Sequence, residues 1–164
     1  MLGVMNRIIL TAFVTLLSTL TVSAASSASA QDRETPYWAS LRSDEVNMRV
    51  GPSPDYRIDW VYKRKGLPVR VVRVMEGWRL VQDQDGDQGW IVKGLLSADR
   101  GAVVIGEGLT PMLERPDESS ELRWNLEPGV VGALGECRSG WCELDVDGRR
   151  GFVSQSRLWG AGEP

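Results

Sequence analysis

Alternation of apolar and polar positions predicts β-strands along most of the chain after residue 30. Val46, Met48 and Val50 alternate with polar residues, which is the period of a strand with one buried face. Residues 60–62 (Trp-Val-Tyr) form a second β-rich run, and residues 69–74 form a β-branched third. Helical periodicity is not sustained anywhere beyond residue 30, and residues 117–125 are expected to hold one short helical turn at most.

A turn-forming pair separates two further β-rich runs. Residues 78–81 lead into the acidic stretch 83–87, and residues 89–92 return from it. The stretch contains Asp85-Gly86, and these residue types tolerate the positive φ of a tight turn. The pattern predicts a β-hairpin whose turn carries solvated carboxylates.

The glycine and tryptophan pattern occurs twice, at offsets of 62 to 64 residues. The matched pairs are Gly77-Trp78 with Gly140-Trp141, Asp85-Gly86 with Asp147-Gly148, Gly89-Trp90-Ile91 with Gly151-Phe152-Val153, Pro52 with Pro116, and Trp60 with Trp124. A repeat of this length indicates a duplicated domain. Each copy is expected to form five short strands closed into a small barrel, which removes exposed strand edges.

We place the two barrels at residues 38–98 and 99–160, with the boundary region at 98–107. Residues 103–105 are either the first strand of the second copy or linker. A domain of this size buries only about 60% of its unfolded surface. Packing of one copy on the other, or a covalent staple, would therefore add needed stability.

The first thirty residues have the features of a secretory signal peptide. Arg7 precedes an apolar run at residues 8–22, and Ala28-Ser29-Ala30 gives an A-x-A exit before the sequence turns polar. The alternative is a membrane anchor, but the run is shorter than the roughly 20 residues a span requires and contains several threonines. Cleavage after Ala30 would export the protein to the periplasm or beyond, with no membrane span left.

Composition excludes some functions. Without Arg7, the 19 basic residues fall to 18 against 22 acidic ones, which moves the net charge from −3 to −4. Nucleic-acid binding requires clustered basic residues and a high pI, so we expect no nucleic-acid partner. The chain contains no histidine, the usual base of nucleophilic catalysis. A Ser-Lys pair or paired carboxylates stay open in principle, but we expect no enzyme activity and assign no catalytic residue.

Metal and cofactor binding are not expected either. The run at residues 83–87 has acidic residues at spacing two, but its glycine falls at position 4 of the stretch, and Gly94 stands at position 12. An EF-hand calcium loop needs glycine at 6 and glutamate at 12. Two cysteines without histidine are too few ligands for a usual zinc site.

Cys137 and Cys142 are predicted to form a structural disulfide. They flank four residues where two strands should pair, and export places them in an oxidising compartment. Closure of so small a loop should stabilise the fold by roughly 2 kcal/mol.

The sequence resembles the bacterial SH3 (SH3b) superfamily. Residues 46–53 (VNMRVGPS) are similar to its opening signature, and residues 77–81, 89–91 and 95–96 to its closing half. The whole chain resembles tandem secreted SH3-like proteins of proteobacteria. In the second copy, Leu113-Glu114-Arg115-Pro116 replaces the signature, which puts a binding site on that loop in doubt.

The resemblance implies a non-catalytic module that binds cell-wall peptide or glycan. The alternative is a structural or interaction protein that binds another protein of the cell envelope. SH3-type folds capture extended peptides in aromatic grooves beside a rigid loop. The candidate ligand-binding residues around the loop 51–59 are Arg49, Pro52, Tyr56, Arg57, Trp60 and Tyr62. Arg49 and Arg57 would bond a peptide carboxylate. The recurring Trp78, Trp90, Trp141 and Phe152 are assigned to core or hairpin packing.

Overall fold

The computed structural model describes residues 33–164, which belong to one compact unit built almost entirely of β-strands. Two single-turn 3₁₀ helices, Lys93–Leu95 and Gln155–Arg157, are the helices of this part of the chain. No helix in it is long and apolar enough to span a bilayer. The predicted signal peptide and its cleavage site lie outside the described residues.

The first seven strands form one antiparallel sheet, called here the first barrel. They are β1 (Tyr37–Leu41), β2 (Val46–Arg49), β3 (Ile58–Tyr62), β4 (Pro68–Met75), β5 (Trp78–Gln82), β6 (Gln88–Val92) and β7 (Leu96–Ser97). Their spatial order is β3-β2-β6-β5-β4-β1-β7, so β3 and β7 are the edges.

The second barrel repeats this arrangement strand for strand. Its members are β8 (Gly101–Val104), β9 (Thr110–Leu113), β10 (Leu122–Leu126), β11 (Val131–Arg138), β12 (Trp141–Val146), β13 (Arg149–Ser154) and β14 (Leu158–Trp159). The order β10-β9-β13-β12-β11-β8-β14 matches the first sheet position by position. The predicted all-β fold of two tandem barrels is confirmed, while the exact domain limits stay a prediction.

The strands differ from the sequence prediction in number. Each copy has seven strands instead of the predicted five. β7 and β14 are too short to produce a sequence pattern, and β1 lacks the alternation of apolar and polar residues. Four of the five β1 residues are buried, since both of its faces are covered. Residues 101–104 form a strand of the second barrel, and β10 occupies the second half of the stretch where a helical turn was expected.

Each barrel has its own apolar core. The first consists of Ala39, Leu41, Val46, Met48, Tyr62, Val69, Val71, Val81, Ile91 and Leu96. The second consists of Ala102, Val104, Met112, Leu126, Cys142, Leu144, Val153 and Leu158. Complete burial of such side chains contributes about 1.5–3 kcal/mol each, against the entropy of ordering the chain.

The recurring aromatics lie outside both of these cores. Trp90 is buried, whereas Trp78, Trp141 and Phe152 are half-buried on hairpin strands. Trp78 lies opposite Met75 on one neighbouring strand and Val92 on the other. Trp78 therefore packs within hairpins, one of the two roles that the sequence indicated, while Trp90 is buried.

The two barrels meet at a junction formed by β1, β4, β8 and β14. Trp38 and Trp159 make an edge-to-face contact with ring centroids 5.0 Å apart. The indole N–H of Trp38 donates to the Gly162 carbonyl at 3.1 Å, and the Ser40 hydroxyl donates to the Asp99 carbonyl at 2.8 Å. A side chain on Gly101 would overlap the carbonyl oxygen of Gly66. The backbones of the two copies therefore approach closely.

Candidate functional site

The hairpin of β2 and β3 carries the aromatic candidates predicted from sequence, of which Tyr56 and Trp60 are exposed and Tyr62 is buried. Met48 pairs with Trp60, but Arg49 pairs with Ile58, so Asp59 is an extra, bulged residue. Directly opposed residues share a face of the sheet. Trp60 therefore lies on the same face as the core residue Met48, but at the edge of the sheet, where 60% of its surface is exposed.

Trp60 forms one wall of a groove of about 260 Å³ beside β3, which we call the β3 groove. Its lining residues are Trp60, Tyr62, Leu67, Pro68, Asp83, Gln84, Asp85 and Asp87. One wall is thus aromatic and apolar, and the other is the turn between β5 and β6. The predicted hairpin around this turn is confirmed by the pairing of β5 with β6.

Asp83 holds the acidic wall in place. It is only 8% exposed and accepts hydrogen bonds from the Tyr62 hydroxyl at 2.8 Å and from the backbone N–H groups of Asp85 and Asp87 at 3.0 Å. The expectation of solvated carboxylates is therefore wrong for Asp83. Its carboxylate is buried because it accepts the hydrogen bonds of the backbone N–H groups in this turn.

Burial and the hydrogen bond to Asp83 both affect the ionisation of the Tyr62 phenol. The side chain is 7% exposed and belongs to the first core. Burial raises the pKa of its phenol well above the ordinary value, and the hydrogen bond to Asp83 and the negative charge of the nearby aspartates raise it further. The phenol is consequently a fixed neutral donor at the floor of the β3 groove.

Asp85 and Asp87 differ from Asp83 because both are exposed. Within the described part of the chain, their side chains make no hydrogen bond and no ion pair. None of the residues that line the β3 groove is basic. The groove therefore combines an exposed indole with two uncompensated carboxylates.

The loop between β2 and β3 is ordered by local contacts. The Arg49 guanidinium donates to the Tyr56 carbonyl at 2.6 Å. The Tyr56 ring lies over Gly51, where a Cβ atom would come within 2.6 Å of it. Arg57 forms an exposed ion pair with Asp59 at 2.8 Å. Pro52, in the same loop, is half-buried.

The six predicted site residues thus fall into two groups. Trp60 and Tyr62 line the β3 groove, whereas the remaining four, Arg49, Pro52, Tyr56 and Arg57, belong to the adjoining loop and its base and are not among the lining residues. Sequence reasoning missed the acidic wall as part of the site. The Asp-rich turn was visible in the sequence, but its approach to β3 depends on strand order, which the pattern does not reveal.

The second barrel keeps the backbone of this region but not its chemistry. The Val50 N–H bonds the Arg57 carbonyl, and the Glu114 N–H bonds the Glu121 carbonyl in the same way, 64 residues later. At that offset, Ser120 replaces Tyr56 and Leu126 replaces Tyr62. Trp124 matches Trp60 but is half-buried. The aromatic and acidic groove therefore belongs to the first barrel.

Two larger depressions are less suited to ligand binding. One of about 410 Å³ on the second barrel is lined by charged pairs already joined to each other, Arg123 with Glu114 at 3.1 Å and Arg150 with Asp145 at 2.7 Å. The other, of about 640 Å³ at the junction, mixes basic and acidic residues around a glycine floor. Across the described residues, no group of three or more Cys, Asp or Glu side chains is placed to hold a metal ion.

The disulfide predicted from spacing is present. Cys137 and Cys142 are directly opposed on β11 and β12, with Cα atoms 4.0 Å apart. This is close to the separation of a non-hydrogen-bonded antiparallel pair. The turn between them uses positive φ at Ser139 and Gly140. The bridge therefore staples one hairpin of the second barrel.

Comparisons with known proteins agree with this architecture. A family model described as "Bacterial SH3 domain" matches residues 42–98 and again residues 107–160. Among curated proteins, "Putative N-acetylmuramoyl-L-alanine amidase YrvJ" of Bacillus subtilis (strain 168) is 25% identical over 134 residues, which is 76% of this chain. The matched region spans 26% of that relative's length.

Solved structures with a partial likeness include NlpC2 and NlpC1 from Trichomonas vaginalis, at 13% and 15% identity and a TM-score of 0.35 each. The matches cover 78% and 87% of this chain, and 49% and 50% of those chains. The family match extends over both barrels, and each barrel has the same strand order. The chain therefore belongs to the bacterial SH3 domain family, of which it contains two tandem copies.

Proposed function

We propose that this protein is a non-catalytic binding module of the periplasm or cell exterior, whose ligand is a peptide or glycan of the cell wall. The observation that carries the proposal is the exposed Trp60 above a groove at the edge of the first barrel. Exposure of most of an indole to water is energetically unfavourable in the free protein. Large aromatic side chains are enriched at binding sites.

Further observations from the comparisons and the sequence support the assignment. Membership of the bacterial SH3 family is typical of modules that bind the wall, and the curated relative is named as an amidase of N-acetylmuramoyl-L-alanine. The signal-peptide pattern before Gln31 and the disulfide between Cys137 and Cys142 both fit an oxidising compartment outside the cytoplasm. The absence of histidine from the sequence disfavours hydrolase chemistry.

Retention of the purified protein by isolated wall sacculi tests the proposal. We expect Trp60→Ala to weaken retention at least about tenfold, because truncation of a central aromatic contact commonly costs 2 kcal/mol or more. Folding should be unaffected, since the side chain is mostly exposed. Trp124→Ala, at the matched position of the second barrel, is the control and should leave retention unchanged.

Tyr56→Ala separates the loop from the groove. Its loss of retention would extend the site to the loop at residues 51–59, as the sequence predicts. A protein that sacculi do not retain at all would instead favour an envelope protein as partner, bound at the exposed edge of β3. Turnover of wall fragments by the purified protein would contradict the non-catalytic assignment.

A further inference from the structure

The two walls of the β3 groove restrict the charge of its ligand. An aromatic face and a carboxylate both attract cations, the first through the ring quadrupole and the second directly. Trp60 provides an exposed aromatic wall, and Asp85 with Asp87 provide the facing carboxylates. Both aspartates are without side-chain partners among the described residues.

The alternatives to a cation fit this arrangement less well. An anionic ligand group would be repelled, because three aspartates and no basic residue line the groove. A neutral sugar would stack on the Trp60 ring and donate hydroxyl hydrogen bonds to Asp85 and Asp87, but it would leave their negative charge uncompensated. Asp83 brings no positive charge to the groove either, since it is itself a carboxylate, buried and already accepting three hydrogen bonds.

The backbone beside the groove favours a ligand in extended form. β3 is the terminal strand of its sheet and is hydrogen-bonded to β2 on one side. The opposite edge of such a strand offers N–H and C=O groups to a further extended chain. Trp60 lies on this strand, so a peptide paired along β3 would carry a side chain into the groove.

We propose that the β3 groove binds an extended cell-wall peptide through a primary amine, with the ammonium held between the Trp60 ring and the carboxylates of Asp85 and Asp87. This inference rests on the proposed function, which it narrows from peptide or glycan to an amine-bearing peptide. The second barrel has Leu126 in place of Tyr62 and only Asp147-Gly148 between β12 and β13. We therefore expect one such site among residues 33–164.

An NMR titration with two defined probes tests the charge requirement. The ¹⁵N-labelled protein is titrated with N-acetyl-alanyl-lysine amide and with the same dipeptide acetylated on its side-chain amine. We expect the indole N–H signal of Trp60 and the amide signals of residues 83–87 to shift saturably with the first probe. Affinity for the acetylated probe should be about tenfold lower, as expected when a cation–π contact and exposed ion pairs are lost together.

Paired variants assign the effect to the groove. Asp85→Asn with Asp87→Asn should reduce affinity for the free amine to that for the acetylated probe. Neither side chain supports the fold through a hydrogen bond within the described structure. Glu118→Gln with Asp147→Asn removes two exposed charges from the second barrel and should change neither affinity. Equal shifts with both dipeptides would overturn the inference.

Retention by sacculi, measured before and after acetylation of their free amines, separates this inference from the proposed function. Retention that falls on acetylation, and falls equally in the Asp85/Asp87 variant without acetylation, supports both. Retention that is indifferent to acetylation and to that variant keeps the proposed function and overturns the amine site. Dipeptide binding without any retention by sacculi would contradict the wall ligand while the amine site stands.

Discussion

At the scale of single residues, the contact between Tyr62 and Asp83 links the core of the first barrel to its surface groove. The phenol is part of the apolar core, yet its hydroxyl donates to a carboxylate that also caps the turn of residues 83–87. A buried carboxylate is costly unless its hydrogen bonds are made. The groove wall and the core therefore depend on each other.

Tyr62→Phe tests this dependence. Loss of the hydroxyl leaves the buried Asp83 short of one donor, so we expect the free energy of unfolding at pH 8 to fall by about 1–3 kcal/mol in urea titrations. The raised pKa of Tyr62 adds a pH dependence. Above the ordinary phenol pKa near 10, the unfolded chain loses this proton while the folded barrel keeps it, so stability falls as pH rises.

That loss is absent from the phenylalanine variant. The difference between wild type and Tyr62→Phe should therefore shrink by about 0.8 kcal/mol between pH 8 and pH 10.5. Tyr56→Phe removes an exposed phenol and controls for alkaline effects elsewhere in the protein. A constant difference between pH 8 and pH 10.5 would contradict a buried, neutral phenol.

At the scale of strands and hairpins, the second barrel has a staple that the first does not. The Cys137–Cys142 bridge joins β11 to β12, whereas the matched β4–β5 hairpin has strand pairing and side-chain hydrogen bonds such as Arg79 to the Met75 carbonyl, but no covalent link. The gain from such a bridge arises mainly from restriction of the unfolded chain. It is small because the closed loop is short.

Reduction of the native protein measures this contribution. We expect the free energy of unfolding to fall by roughly 2 kcal/mol with a phosphine reductant, as the chain-entropy relation gives for a loop of this size. Cys137→Ala with Cys142→Ala should be insensitive to the reductant, which controls for its other effects. An unchanged denaturation midpoint in the reduced wild type would contradict a stabilising effect of the bridge.

Hairpins were also the elements that the sequence predicted best. Asp85-Gly86 and the paired cysteines are local signals, because a turn residue or a short spacing fixes its neighbours directly. The bulge at Asp59 and the short edge strand β7 leave no such signal, since the bulge is a local shift of the β2–β3 register without a turn residue of its own and β7 depends on pairing with the distant β1. The acidic wall of the site was missed because it, too, depends on a long-range contact. Tyr62 and Asp83 are 21 residues apart and meet only through the sheet.

At the scale of the whole molecule, the duplication is not symmetrical where the two copies meet. Hydrogen bonds from Leu41 to Leu67 and from Val104 to Val130 align β1 with β8, which places Gly101 at the position of Trp38. β7 and β14 align likewise, so Ser97 stands where the second copy has Trp159. The tryptophans of the junction are therefore the residues that the repeat does not share.

This asymmetry explains how two barrels too small to be very stable alone behave as one unit. A domain of about 60 residues buries a modest fraction of its surface. Trp38 is nevertheless 7% exposed although it belongs to neither core, because the other barrel covers it. Gly101 and Gly160 permit this close approach. A side chain on Gly101 would clash with the Gly66 carbonyl, and one on Gly160 would clash with the Gly101 carbonyl and with Pro68.

Trp159→Ser, which introduces the residue found at the same place in the first copy, should uncouple the barrels. Removal of the large ring leaves Trp38 without its edge-to-face partner and opens a cavity, at a cost of about 3 kcal/mol or more. We expect calorimetry to show two overlapping transitions, with a calorimetric enthalpy larger than the van't Hoff enthalpy, where the wild type shows one. Trp60→Ala removes an exposed indole away from the junction and should keep a single transition. If the Trp159→Ser protein also unfolds in one transition with equal enthalpies, the ring contact between Trp38 and Trp159 is not what couples the barrels.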